Sequence, residues 1–253
     1  MSTPVQSIDR VLDIIEILSE NPNGLTLTDL ASLAELHPST AHRLLSSLAS
    51  RGYAIKNQET GRYKLTLRIF EIASRVANSS NLLTVSRPIL ERLQHSTNET
   101  VHLVVPDGTD VVYLYKESDG SLDVRMGSTI GLRSPMYCTG VGKSILAYLP
   151  KEKFRKIWDA SRPIQHTPHT IIQEEQMLAE CQKIRKLGYA TDIEEHEAGV
   201  CCVAAVIRNC FDRPVAAISI SLPAFRFSKE KEEELSRQVM LTANEISSQL
   251  GHI

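Results

Sequence analysis

The sequence predicts an α+β chain in two parts, a small helical head followed by a larger strand-rich domain. Apolar residues recur at helical spacing over the first fifty positions, whereas alternating apolar runs dominate from about residue 100 onward. The length of 253 residues exceeds one ordinary domain. Strands and helices do not alternate regularly in the second part, which argues against a doubly wound nucleotide fold, and no internal repeat is visible.

In the head, Ile8, Val11, Leu12, Ile15 and Leu18 define one face of a first helix that stops before Asn21-Pro22-Asn23-Gly24. Thr26 stands three residues before Asp29, the spacing of a capping box. A second helix is therefore expected to run to about Leu36, with Leu30, Leu33 and Ala34 inward. Pro38 fits the first turn of a third helix, which Gly52 ends. On that helix Ala41, Leu44, Leu45 and Leu48 form the buried stripe and turn Ser39, Thr40, His42, Arg43, Ser46 and Ser47 outward. The segment YAIKNQETGRYKL then gives two short strands around a polar turn, with Lys56, Arg62 and Lys64 on it.

Two helices, a tight turn and a basic hairpin describe a winged helix-turn-helix. A B-DNA major groove ~12 Å wide admits one helix. Arg43 has the paired donors that read guanine, His42 can donate or accept at a base edge, and Ser39 and Thr40 suit phosphate near the helix start. Lys56 and Arg62 suit backbone or minor-groove contact. A polar, basic helix face is also what a solvated surface looks like, so the hairpin and the charge distribution must decide. Residues 1–36 carry one cation against six anions, −5, and residues 37–68 carry six cations against one anion, +5. The overall −2 therefore conceals a basic patch on an acidic support.

Composition narrows the rest. No stretch approaches the ~18 uncharged apolar residues of a membrane helix. The opening MSTPVQSIDR leads straight to Asp9, Asp13 and Glu16, unlike a signal peptide. Five cysteines without a CxxC pair fit reduced thiols. Together these predict a cytoplasmic chain without membrane, metal or cofactor.

Apolar spacing through Leu67, Phe70, Ile72, Ala73 and Val76 predicts a linker helix over residues 66–81. A helix from Leu82 to Gln94 follows. Strands are expected at Val101–Val105, in VVYLY, in LDVRM, in VCCVAAVI and in PVAAISIS, with helices near 140–149, 151–159, 171–187 and 229–250. The TGVGKS segment fails as a phosphate loop, because Tyr137 stands where its first glycine belongs. Gly140 and Val141 still offer backbone N–H groups at a helix start, where a small carboxylate is favoured. His196-Glu197 fails as a zinc-protease helix because Val200 stands where the second histidine should be. The acidic run Glu194–Glu197 reads as a solvated turn in preference to a metal cluster, and His166 and His169 read as loop residues. Cys138, Cys201, Cys202 and Cys210 lie in or beside apolar runs, as small buried hydrophobes do. Ser219 and Ser221 share one face of a strand, either lining a pocket or bonded within the sheet.

The order of these motifs resembles the isocitrate lyase regulator (IclR) family. The resemblance rests on Ser39, Thr40, Arg43, Leu44, Leu45, Gly52, Tyr53, Gly61, Tyr63 and Leu65 in the head, then on PMYCTGVGKSILA, DIEEHEAGVCCVAA and ISISLPAFRFS. It spans nearly the whole chain. It implies a DNA-binding domain over 1–65 and a GAF-like mixed α/β effector and oligomerisation domain over 82–253. It also implies a transcriptional regulator, a repressor in the first instance, acting on double-stranded DNA at a palindromic operator as a homodimer or homotetramer. A small organic acid would lie between Gly140 and Val141, Asp192, Cys202, Ser219 and Ser221. Cys201 stands where the family pattern has arginine, and Ser134 replaces an apolar residue, making the pocket more polar. With the sugar-acid-like ending Arg226–Ser228, that points to a sugar acid or keto acid, as in the 2-keto-3-deoxygluconate branch. Alternative readings are an activator, a head that never touches DNA, and a DNA-binding head fused to an enzyme using Lys143, Asp192 or a cysteine. No acid, base and nucleophile set is recognisable for the last.

Overall fold

The computed structural model describes residues 5–79, 81–118 and 127–252. The chain divides into two compact units between Ser79 and Ser80.

The first unit contains α1 (Gln6–Glu20), α2 (Leu27–Leu33), α3 (Pro38–Ser50), β1 (Ala54–Lys56), β2 (Tyr63–Leu65) and α4 (Arg68–Ser79). Thr26 caps α2 as its spacing predicts: its hydroxyl accepts from the Asp29 backbone N–H at 3.2 Å and, in place of the reciprocal backbone bond of a full capping box, donates to the Asp29 carboxylate at 2.8 Å. The core gathers Ile14 and Leu18 from α1, Leu30 from α2, Leu44, Leu45 and Leu48 from α3, and Ala54 and Tyr63 from the hairpin. Two expectations need correction. On α1, Ile8 and Leu12 are exposed and the inward face is Val11, Ile14, Ile15 and Leu18. The spacing pattern admitted either stripe, and packing against α2 and α3 selects the second. Leu33 is likewise exposed, because α2 ends there and its buried face is centred on Leu30 and Ala31. Glu35, at φ +51°, turns the chain before Leu36 can extend the helix.

The hairpin pairs Ala54 with Leu65 and Lys56 with Tyr63, and an isolated bridge from Leu25 to Tyr63 ties it to the α1–α2 turn. That turn needs Gly24. Its φ is +77°, and a Cβ there would stand 2.7 Å from the Tyr63 carbonyl oxygen.

The second unit contains α5 (Asn81–Thr97), β3 (Thr100–Asp107), β4 (Asp110–Glu117), β5 (Arg133–Pro135), α6 (Gly140–Leu146), α7 (Lys151–Ser161), α8 (Glu174–Leu187), β6 (Ala190–Ile193), β7 (Val200–Arg208), β8 (Pro214–Pro223) and α9 (Lys229–Gln249). The strands form one antiparallel sheet in the order β5-β4-β3-β8-β7-β6. The expected strand LDVRM, at 122–126, lies outside the described residues.

Both faces of this sheet are covered, which explains why β7 and β8 read as nearly continuous apolar runs. Val101, Leu103, Val203, Ile218, Ile220 and Leu222 pack with α5 and α9. Val104, Val111, Tyr113, Ala204 and Ala217 pack with α6, α7 and α8. A β-bulge shifts the pairing from Leu103 opposite Tyr115 to Val104 opposite Tyr113. The extra residue, Leu114, sends Tyr113 and Tyr115 to opposite faces, which simple alternation in VVYLY would not allow. α6 lies directly on the sheet. A Cβ at Gly142 would come within 2.3 Å of the Met136 backbone, so only glycine permits that approach.

Candidate DNA-reading face and effector cavity

In the first unit, α3 presents the residues that its spacing predicts. Ala41, Leu44, Leu45 and Leu48 are buried; Ser39, His42 and Arg43 are exposed, and Thr40 is half-buried. The helix start is capped by His37, whose Nδ1 faces the Ser39 backbone N–H at 3.4 Å and its hydroxyl at 2.8 Å. Lys56 lies over the Tyr63 ring at 5.4 Å while its residue stays exposed. Arg62 has a structural contact as well: its Nη1 donates to the Gly24 carbonyl at 2.8 Å, fastening the hairpin to the α1–α2 turn. The planar guanidinium keeps further donors for another partner.

The second unit holds a cavity of about 320 Å³ on the α6 face of the sheet. Strand register builds its floor. Residues directly opposite in antiparallel strands share a face. Asp192 on β6 pairs with Cys202 on β7, which pairs with Ser221 on β8. The next inward-facing row runs from His102 on β3 through Ser219 to Ala204. α6 starts above these rows: a Cβ on Gly140 would meet the Ala204 Cβ at 3.4 Å and the Asp192 Cβ at 3.5 Å. Gly140, Val141, Asp192, Cys202, Ser219 and Ser221 all line this one cavity, as does Ser134. Sequence reasoning did not nominate His102, Tyr113, Thr139, His196 or Glu197, which line it too. A signal for His102 existed, since a histidine between Val101 and Leu103 breaks an apolar strand at an inward position.

Burial sets the electrostatics. The Asp192 carboxyl is raised to about 7, chiefly by burial, although it accepts from the Glu195 backbone N–H at 2.8 Å. His102 is lowered to about 3 by burial and then by the charge of Lys116, so its ring is neutral. Burial also holds the Cys202 thiol well above its ordinary value, leaving a weak donor and no thiolate nucleophile.

The turn after β6 departs from the solvated turn that its composition predicts. Glu195 is buried and forms ion pairs with Lys143, itself fully buried, which also lies 3.6 Å from Glu180. The Thr170 hydroxyl donates to the Glu195 carbonyl at 2.6 Å, and Thr167 donates to that of Glu194. Enclosure by α6 and α8, invisible in the run of four residues, converts this acidic segment into a pinned loop. Among the described residues no cluster of His, Cys, Asp or Glu has metal-site geometry. His166 lies in a loop, where its Nε2 is 2.9 Å from the Tyr137 hydroxyl. Cys138, Cys181 and Cys201 are buried, but Cys210 is exposed because it sits at the β7–β8 turn.

A helix-turn-helix head joined to an α/β domain with a small cavity lined in part by polar side chains defines a class: DNA-binding regulators with a ligand-sized chamber. Two family models match the chain, the IclR helix-turn-helix domain over residues 7–57 and the bacterial transcriptional regulator IclR C-terminal domain over 74–248. The chain is 32% identical to the HTH-type transcriptional regulator KdgR of Escherichia coli over 98% of its length and 94% of that protein. It is 35% identical to the E. coli DNA-binding transcriptional repressor YiaJ over 97% of its length and 88% of that protein. The crystal structure of Thermotoga maritima IclR superposes with a TM-score of 0.85 at 32% identity, covering 98% of this chain and 99% of that one. The chain belongs to the IclR family of DNA-binding transcriptional regulators. Among the described residues no helix is long and apolar enough to cross a membrane.

Proposed function

We propose that the chain is a cytoplasmic transcriptional repressor whose grip on a palindromic operator is modulated by a small organic acid, a sugar acid or keto acid, held in the second unit. Residues 1–65 form the DNA-binding domain, 66–81 the linker helix, and 82–253 the effector and oligomerisation domain. Ser39, Thr40, His42 and Arg43 read the major groove, while Lys56 and Arg62 hold the backbone from the wing. Gly140, Val141, Asp192, Cys202, Ser219 and Ser221 hold the acid.

The observation that carries this reading is the convergence of those last six residues, from four separate stretches of sequence, on one cavity of effector size. The repressor role is supported by the relative named as one. The polar groups within the lining, Ser134 and Thr139 among them, favour a hydroxylated acid over an aromatic one. A homodimer or homotetramer would present two heads to half-sites one helical turn or a multiple apart. Ligand binding relieves repression only if the acid binds the DNA-incompetent arrangement more tightly, since equal affinity shifts nothing.

A thermal-shift screen of C2 to C6 hydroxy and oxo acids, followed by operator binding with and without each hit, tests ligand class and sign together. A hit that lowers operator affinity supports the proposal. A hit that raises it refutes the proposed derepression. Turnover of a bound acid would restore the enzyme reading.

A further inference from the structure

The cavity presents an electrostatic problem for an acid ligand. Among the described residues lining it there is no lysine or arginine, and two of the lining groups, Asp192 and Glu197, are carboxylic acids. Lys143 beneath it is engaged by Glu195 and Glu180. Among these residues a carboxylate is received by neutral donors, so the direction in which the hydroxyls point matters.

His102 sits at the centre of those hydroxyls. It is buried, and on β3 it lies directly opposite Ser219. Its Nδ1 is 3.4 Å from the Ser219 hydroxyl and 3.3 Å from that of Ser221, and its Nε2 is 2.9 Å from that of Ser128. A neutral imidazole carries one proton, and the two tautomers instruct the serines in opposite ways. With the proton on Nε2, the ring donates to Ser128, and Nδ1 takes a hydroxyl proton from one of the pair. With the proton on Nδ1, the ring donates toward the serine oxygens, and both serine O–H groups are released toward the cavity. Lys116 favours the second arrangement. Its ammonium donates to the Ser128 carbonyl at 2.6 Å, on the Nε2 side of the ring, where a positive charge stabilises a lone pair over an N–H. The Ser221 hydroxyl is directed at Cys202 Sγ, 3.1 Å away. A thiol sulfur is a weak acceptor, so a ligand oxygen competes for that hydroxyl.

We propose that His102 is a positioning and specificity-determining residue of the effector cavity: as its Nδ1–H tautomer it turns Ser219 and Ser221 into a paired hydroxyl donor for the ligand's carboxylate. This rests on the effector reading above and extends it. The cavity then distinguishes an acid from the corresponding alcohol through oriented neutral dipoles, with no cation among the described lining residues. His102 acts through the serines, and the bound carboxylate is the acceptor they face.

Two measurements test it. The first needs no ligand: a long-range proton–nitrogen NMR spectrum of histidine-labelled full-length protein identifies the protonated ring nitrogen of His102, assigned by its disappearance in His102→Asn. Protonation at Nδ1 supports the proposal, and protonation at Nε2 overturns it. The second is titration calorimetry with gluconate and with the uncharged glucitol, and with pyruvate as a smaller acid. His102→Asn places an amide nitrogen near the position of Nδ1 and should retain acid affinity within about threefold. His102→Leu removes the donor and should weaken the acid at least tenfold, with folding checked by its melting curve. Equal acid affinity in His102→Leu and the parent, or preference for glucitol over gluconate, overturns the proposal. If none of these acids binds the parent protein, the effector reading loses its support while the tautomer still decides the role of His102.

Discussion

Asp192 gives the sharpest handle on the cavity, because its carboxyl lines it and yet is nearly engulfed. Its value in the folded chain is about 7, against 3.8 ordinarily, with burial as the leading cause. Between about pH 4 and 7 the folded state therefore holds a proton that the unfolded chain has released, so stability falls as pH rises through that window and levels off above it. At about 1.4 kcal/mol per pH unit, the gap between 3.8 and about 7 corresponds to roughly 4 kcal/mol. Asp192→Asn keeps an oxygen acceptor for the Glu195 and His196 backbone N–H groups, now at 2.8 and 3.4 Å, and removes the titration. Urea unfolding of both proteins at half-unit steps from pH 4.5 to 8.5 should show the curves diverging. The variant gains on the parent by about 2 to 4 kcal/mol toward pH 8, with most of the change between pH 5 and 7. Parallel curves across that range would refute the burial argument, since the other titrating groups are common to both chains.

The remaining expectations concern the head and the buried ion pair. Arg43→Ala should lose about 1 to 3 kcal/mol of operator discrimination while non-specific binding changes little, read by competition between operator and scrambled duplexes. Arg62→Ala should weaken operator and scrambled DNA alike and reduce the salt slope by about one. Because Arg62 also holds the Gly24 carbonyl, the melting temperature should fall too, which a pure phosphate contact would not cause. Lys143→Met leaves the Glu195 carboxylate buried without its cation and should cost about 3 to 5 kcal/mol in urea unfolding. The double variant Lys143→Met/Glu195→Leu should recover much of that, as matched apolar replacement of a buried pair commonly does.

Local rules made the head legible. Helix starts at Thr26 and Pro38, the stripe Ala41, Leu44, Leu45, Leu48 and the hairpin all follow from spacing and capping, which act within a few residues. The failures there, Leu12 and Leu33, concern which of two adjacent stripes packs, and tertiary neighbours settle that. In the second unit the helices and long strands were readable for the same reason. The short strands β5 and β6 were not, being three and four residues long. The cavity was legible chiefly through family resemblance. Alternation alone put Ser219 and Ser221 on one face but left open what they meet. His102 and Tyr113 join the cavity through cross-strand register and a bulge, long-range facts that no local pattern encodes. Glu195 was misread for the complementary reason, since a charge among charges looks solvated until α6 and α8 close over it.

The same alternation indicates how occupancy of the cavity could leave it. On β3 and β8 the cavity residues His102, Ser219 and Ser221 alternate with Val101, Leu103, Ile218 and Ile220, which pack on the opposite face against Leu90 and Leu93 of α5. α5 begins at Asn81, two residues after α4 ends at Ser79, so in sequence the strands' rear packing layer is directly preceded by α4. A close-packed layer responds to a shift of the strands by repacking, because it has no slack to absorb one. Ile220→Val deletes one methylene between the two serines, on the far face from the ligand, and should cost about 0.5 to 1.5 kcal/mol of stability. If this layer carries the coupling, the variant should keep its acid affinity and its operator affinity when each is measured alone, yet change the factor by which one alters the other. Linkage requires that factor to be equal in both directions, so acid titrations with and without operator, and operator titrations with and without acid, must agree. An unchanged factor would place the route elsewhere, because Ile220 lies between both serines and the helix they would have to move.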